Sequence, residues 1–163
     1  HEEGVPAFTH SAKDDLPVIT QNSFSARLIA GNYEGVASPF SFPHDTLYMD
    51  IKLNAGSVFH VPDNAEERAL YPLSGRLQVG DTVYDAGQLL VLTPSEAITI
   101  RAADNAPCHV MLLGGAVMDG PRHIWWNFVS SSKDRLEAAR SDWLAQRFPK
   151  VPGESEFIPL PVE

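Results

Sequence analysis

Residues Leu53–Leu92 read LNAGSVFHVPDNAEERALYPLSGRLQVGDTVYDAGQLLVL, and the way short apolar runs alternate there with Gly-bearing turns decides the fold. The turns fall at Ser74-Gly75, Gly80-Asp81 and Ala86-Gly87. Apolar runs punctuated at that spacing describe consecutive antiparallel strands of a small barrel or sandwich. Each Gly stands where a hairpin or bulge asks for positive φ, a conformation that a residue with a Cβ adopts poorly.

Working outward, Phe24–Ala30 alternates with period two and stops at Gly31, which predicts a strand. Residues 31–45 are rich in Gly, Pro, Ser and Asn and are read as a loop. Leu47–Leu53 is the clearest alternating stretch: Leu47, Met49, Ile51 and Leu53 share one face, Tyr48, Asp50 and Lys52 the other. Ala97–Ala102 and Cys108–Gly115 are two further strands joined by an Asp104-Asn105 turn, and Ile124–Ser130 is another extended run of strong β-formers. The period then changes. From Ser131 to Phe148, Leu136, Ala139, Trp143 and Phe148 recur at helical spacing, with Ser131 or Ser132 as N-cap, Asp134 in the first turn and Pro149 as the stop. The tail beyond Val151 carries too many prolines for a central strand and should lie extended. The expected class is all-β: a small antiparallel barrel or sandwich of jelly-roll type, with one C-terminal helix and an extended tail. Residues 1–23 form a connector arm, 24–130 the barrel, and 131–163 the helix and tail.

Composition excludes several functions. A net charge of -9 with twelve scattered Lys and Arg argues against direct binding to a nucleic-acid backbone, which needs clustered cations. No apolar run reaches the roughly 18–20 residues of a membrane-spanning helix, and no basic-then-apolar leader opens the chain. The single cysteine, Cys108, lies in an apolar run and is read as a buried, inert thiol. With no internal disulfide possible, a reducing, cytoplasmic compartment is expected. The chain opens on His1 without Met, so it is read as a processed piece or one half of something longer.

A small antiparallel barrel with such Gly turns resembles the cupin superfamily. Many cupins hold a divalent metal through a His-x-His pair and an acid on one strand pair, with another His later; imidazoles plus carboxylate suit iron, manganese or zinc and leave open positions for substrate. Here that pattern is broken. After Gly56 comes His60, but Pro62 occupies the place of its partner. Glu66 and Glu67 fall in the region of the acid, and the last His position falls near Thr99, where no residue ligates. His60, Pro62, Glu67 and Thr99 are therefore read as degenerate metal positions, and no catalytic or cofactor-binding residue is assigned. The rival reading is a divergent dioxygenase or isomerase with His60, Glu67, Tyr71 and Asp50 around a lumen, and a third is a barrel that binds a small organic ligand in an apolar lumen without chemistry.

The remaining histidines show no shared ligand spacing. His109 on an apolar strand is read as a satisfied core or rim residue, His44 and His123 as surface or interface groups, and His1 and His10 as parts of the arm. Gly114-Gly115 is read as a turn, because no helix pattern follows it to cradle a phosphate. Asp50, Glu66 and Glu67 are read as solvated, not as an acid–base pair. No nucleophile elbow, phosphate-binding Gly loop or CxxC pair occurs. Trp125, Trp126 and Phe128, with Trp143 on the helix, are the most distinctive local feature. They are read as a docking interface as well as packing, since Trp and Phe flanked by Arg are enriched in interface hot spots.

Several segments together resemble the pirin family, specifically the carboxy-terminal half of a bacterial pirin-like protein. They are Thr46–Leu53 with Gly56, Glu66–Gly75, Ala86–Leu92, Leu112–Gly115 and Gly120-Pro-Arg-His-Ile-Trp-Trp-Asn-Phe-Val-Ser-Ser131. Arg147-Phe-Pro-Lys-Val-Pro-Gly-Glu154, Glu156-Phe-Ile-Pro-Leu-Pro161 and the opening His1-Glu-Glu, Pro6–His10 and Leu16–Ile19 fit as well. The resemblance implies a two-cupin protein of about twice this length, with iron or another divalent metal held by three His and one Glu of a first cupin absent from this chain. It implies a second cupin without metal, docked on the first or self-associating. It also implies association with oxygen-dependent opening of flavonols such as quercetin, or with metal-dependent binding to transcriptional regulators or other proteins.

Overall fold

The computed structural model describes residues 4, 5, 7–103 and 105–161. The expectations placed on His1–Glu3, Pro6 and Asp104 lie outside them. The chain divides into two compact units, the first essentially residues 5–117 and the second residues 118–163. The Trp-rich segment 118–130 falls in the second unit, with the helix and tail.

The first unit is a double-sheet antiparallel barrel. In chain order its strands are β1 (Val18–Thr20), β2 (Phe24–Ala30), β3 (Asn32–Tyr33), β4 (Val36–Ala37), β5 (Thr46–Leu53) and β6 (Val58–Val61). They continue with β7 (Glu67–Ser74), β8 (Arg76–Val79), β9 (Thr82–Asp85), β10 (Leu90–Val91), β11 (Ile98–Ala102) and β12 (Cys108–Gly115). One sheet orders its strands β1-β2-β5-β12-β7-β10, the other β6-β11-β8-β9. The expected loop 31–45 also contains a two-residue hairpin, β3 against β4, which seats Tyr33 in the core.

The core follows from strand alternation. On β5, Leu47, Met49, Ile51 and Leu53 are all buried, as their spacing predicts, while Lys52 is exposed. The same phase buries Phe24, Ala26 and Leu28 on β2 and Cys108, Val110 and Leu112 on β12. From the opposing sheet, Phe59, Val61, Leu77 and Ile100 close the interior. Phe59 meets Phe24 edge to face at 4.9 Å and stacks on Tyr33 at 5.8 Å. Each such apolar side chain contributes on the order of 1.5–3 kcal/mol when fully buried. Gly75, Gly80 and Gly87 all adopt positive φ, as the turn reading requires. At Gly75 the demand is also steric, because a Cβ there would run into the Pro107 carbonyl oxygen.

The second unit holds a hairpin, β13 (His123–Trp125) and β14 (Phe128–Ser130), followed by α1 (Lys133–Leu144). The sequence suggested one extended run over 124–130. The chain instead reverses at Trp126-Asn127, with Trp126 at φ +53°. That region is costly for a bulky side chain, and the ring contacts described below offset the cost. Ser132 is the N-cap, its hydroxyl accepting from the Arg135 amide. The helix ends at Leu144, well before Pro149, because Gln146 turns left-handed at φ +52° in the manner of a C-cap. Among the described residues no helix is long and apolar enough to cross a membrane.

Candidate functional site

A strand pair can present a metal site to a barrel interior only through residues on its inward phase. On β6 that phase belongs to Phe59 and Val61, which are buried; Val58 and His60 are exposed. On β11, Ile100 is buried and Thr99 exposed. His60 and Thr99 face each other across the strand pair and share a 3.0 Å hydrogen bond on the solvent side. Pro62 follows directly after β6 and accepts from a buried arginine through its carbonyl. Glu67 is exposed, and Glu66 accepts the Val117 amide at 2.8 Å. The four residues of the rival reading do not converge: His60 lies outside the four-stranded sheet, Glu67 is exposed, and Asp50 and Tyr71 sit on the phase of the six-stranded sheet opposite the core.

That second face has its own polar arrangement. Arg27, Asp50, Met111 and Tyr71 occupy successive cross-strand positions on β2, β5, β12 and β7. His109, half-buried, donates through Nε2 to Asp50 Oδ1 at 2.7 Å, and Arg27 approaches Asp50 Oδ2 at 3.8 Å. One carboxylate is thereby held between two basic groups. The arrangement pins three adjacent strands electrostatically. Tyr48 and exposed Leu113 extend this face as cross-strand partners.

The least expected residue is Arg68. It sits on the inward phase of β7 beside Leu70 and is only 2% exposed. Its guanidinium donates to the carbonyls of Pro62 (3.1 Å), Thr93 (3.1 Å) and Glu96 (2.8 Å), tying two barrel-end loops to the central strands. A charged residue on the buried phase of a strand is the signal that could have found it. Burial perturbs two further groups. It raises the Tyr33 phenol, with help from neighbouring Glu34, to about 12, and it raises the Cys108 thiol above its ordinary value.

In the second unit, the residues singled out for docking pack on one another. Trp126 meets Trp143 at 5.3 Å and Phe128 at 5.7 Å, while Trp125 stacks on Phe128 at 6.3 Å. Phe148 and Phe157, which the sequence reading left outside this group, join Trp143 at 5.6 and 5.7 Å. Arg140 lies 5.0 Å over the Trp125 ring. Trp126 remains 36% exposed and Ile124 71%.

The two antiparallel sheets, their strand order and their filled interior define a protein of the cupin class. Residues 48–149 match the family model described as the pirin C-terminal cupin domain, so the chain belongs to the pirin family through that domain. A pirin-like protein of Caulobacter vibrioides is 40% identical over 98% of this chain, which spans 55% of that relative. A crystal structure of a quercetin 2,3-dioxygenase from Acinetobacter baumannii superposes with a TM-score of 0.78 at 27% identity, covering 91% of this chain and 51% of that one. The chain spans about half the length of the curated relatives it matches.

The cupin class implies a divalent metal, and the residues present here do not fit one. The inward positions at which ligands would stand carry Phe59, Val61 and Ile100, which have no donor atoms. The one imidazole of the motif is turned outward onto Thr99. Among the described residues, no three His, Cys, Asp or Glu side chains gather.

Proposed function

We propose that this chain is the metal-free, non-catalytic cupin of a longer two-cupin pirin-like protein. In that protein it acts as a structural and regulatory module docked on a metal-bearing first cupin. The observation that carries the reading is the phase of β6 and β11: the interior is filled by Phe59, Val61 and Ile100, while His60 and Thr99 bond to each other outside it. The inward positions of β6 and β11 thus offer a metal no donor. Oxygen-dependent opening of a flavonol, the activity suggested by the likeness to a quercetin 2,3-dioxygenase, then belongs to the half of the longer protein that this chain does not cover. The exposed apolar side chains Leu89, Val91 and Leu113 of the barrel suit association with another domain.

Two measurements test this. Elemental analysis of the purified chain should find iron, nickel, copper and manganese well below one equivalent. One equivalent that disappears in His60→Ala would overturn the metal-free reading. Size-exclusion chromatography of the chain mixed with the separately expressed first half of its parent protein should give a one-to-one complex. Two independent monomers under those conditions would overturn the docking reading.

A further inference from the structure

We propose that the second unit carries a binding pocket for a small molecule bearing a quaternary ammonium headgroup, walled by Trp143, Phe148 and Phe157 and rimmed by the carboxylates of Glu154 and Glu156. No barrel residue enters the argument, so it stands or falls separately from the reading above.

A cavity of about 200 Å³ opens where the tail folds back beside α1, and these five side chains line it together with Lys150. Its volume lies below the ~300–1,000 Å³ of pockets for drug-sized ligands, which suits a headgroup better than a whole extended molecule. Trp143 is the fixed wall. Its indole Nε1 donates to the Ile158 carbonyl at 2.8 Å, holding ring and tail in register. Phe148 stands edge-on to it at 63°, and Phe157 stacks on it at 27°.

The chemistry of the lining selects the sign of the ligand. Aromatic faces present negative potential and attract cations that shed water easily, for which a quaternary ammonium is the extreme case. Glu154 adds full negative charge. Its Oε1 accepts the amides of Ser155 (2.8 Å) and Glu156 (2.9 Å), and these bonds keep its carboxyl below the usual range and ionised. An anion is repelled by both features, and a neutral apolar group gains nothing from the carboxylates. The same aromatic cluster already holds one cation, Arg140 over Trp125 on the hairpin side. Lys150 is the single opposing charge in the lining, which gives the idea a second sign to test.

The experiment uses the whole 163-residue chain and choline chloride as probe, following the Trp143 indole N–H resonance, assigned by its loss in Trp143→Phe. Saturable shifts are expected with a Kd on the order of 1–10 mM. The isosteric alcohol in which carbon replaces the ammonium nitrogen should bind at least about five-fold more weakly, because it lacks the cation that the rings favour. Glu154→Gln, an exposed substitution that leaves the aromatic packing alone, should weaken choline by about two- to five-fold, and Lys150→Ala should strengthen it by a similar factor. Absence of saturation with choline would overturn the proposal. So would equal binding of the uncharged isostere, or weaker choline binding in Lys150→Ala.

Discussion

Replacing Arg68 by Met tests how the barrel end is held. Met keeps most of the buried side-chain volume and removes the fork that donates to Pro62, Thr93 and Glu96. Hydrogen bonds from a charged donor are worth about 1.5–3 kcal/mol each, so three amount to roughly 5–9 kcal/mol before opposing terms. Burying a guanidinium costs several kcal/mol, more here because its Nε finds no partner. Thr93 and Glu96 are exposed, so their freed carbonyls can turn to water. The remainder is a loss of about 2–4 kcal/mol, against a total stability of about 5–15 kcal/mol for an ordinary domain. For a unit of this size that lowers Tm by roughly 10 °C. All three tryptophans, Trp125, Trp126 and Trp143, lie in the second unit, so the barrel has no indole of its own to report its unfolding. The assay is therefore urea unfolding followed by far-UV circular dichroism, with hydrogen exchange read over 62–66 and 93–97. Arg68→Lys, which keeps the charge without the planar fork, should recover less than half of the loss. A Met variant with unchanged midpoint and unchanged exchange in both loops would refute the clamp.

Other consequences are more local. Gly75→Ala should cost at least about 2 kcal/mol, because a Cβ there meets the Pro107 carbonyl and φ is +77°. Gly80→Ala, at φ +57° with open space around it, should cost only about 1 kcal/mol, and denaturant midpoints of the two variants give the contrast directly. Tyr33 titrates near 12 in the folded chain against about 10 when unfolded. Its contribution is therefore fully present below pH ~10 and is lost as pH rises towards 12, by up to about 2–3 kcal/mol. All four tyrosines lie in the barrel, so alkaline absorbance titration should show one late phenol that vanishes in Tyr33→Phe. Trp126→Gly relieves about 1–2 kcal/mol of left-handed strain but gives up the rings at 5.3 and 5.7 Å. Net destabilisation, seen as an earlier Trp143 fluorescence transition, is the expected sign.

The barrel was legible because its information is local. Four apolar side chains at strict alternation on β5, and glycines where hairpins need positive φ, each require only a few residues of context. Trp126 was not legible, because a bulky residue reverses the chain there without Gly and ring contacts distant in sequence, such as that with Trp143, offset the strain. The helix end was misplaced for a related reason: Gln146 supplies the left-handed cap that sequence rules assign to Gly or Asn. Arg68 was passed over because a lone arginine in a strand is usually outward, and its three acceptors come from loops up to 28 residues away.

The metal positions carry a further lesson about phase. Position 62 was read as the missing His of a His-x-His pair, which suggests that Pro62→His would restore half of a site. Residues 60 and 62 share one strand phase, and on β6 that phase is turned to solvent at His60. The new imidazole would join His60 and Thr99 outside the barrel, not the interior. Placing donors inside instead means replacing Phe59 and Val61, the first of which packs against both Phe24 and Tyr33. Removing such a ring costs about 3–5 kcal/mol. Pro62→His should therefore gain at most a weak surface site for added zinc or nickel. An interior metal bound one-to-one in that variant, with the core intact, would mean that the strand phase has been misjudged.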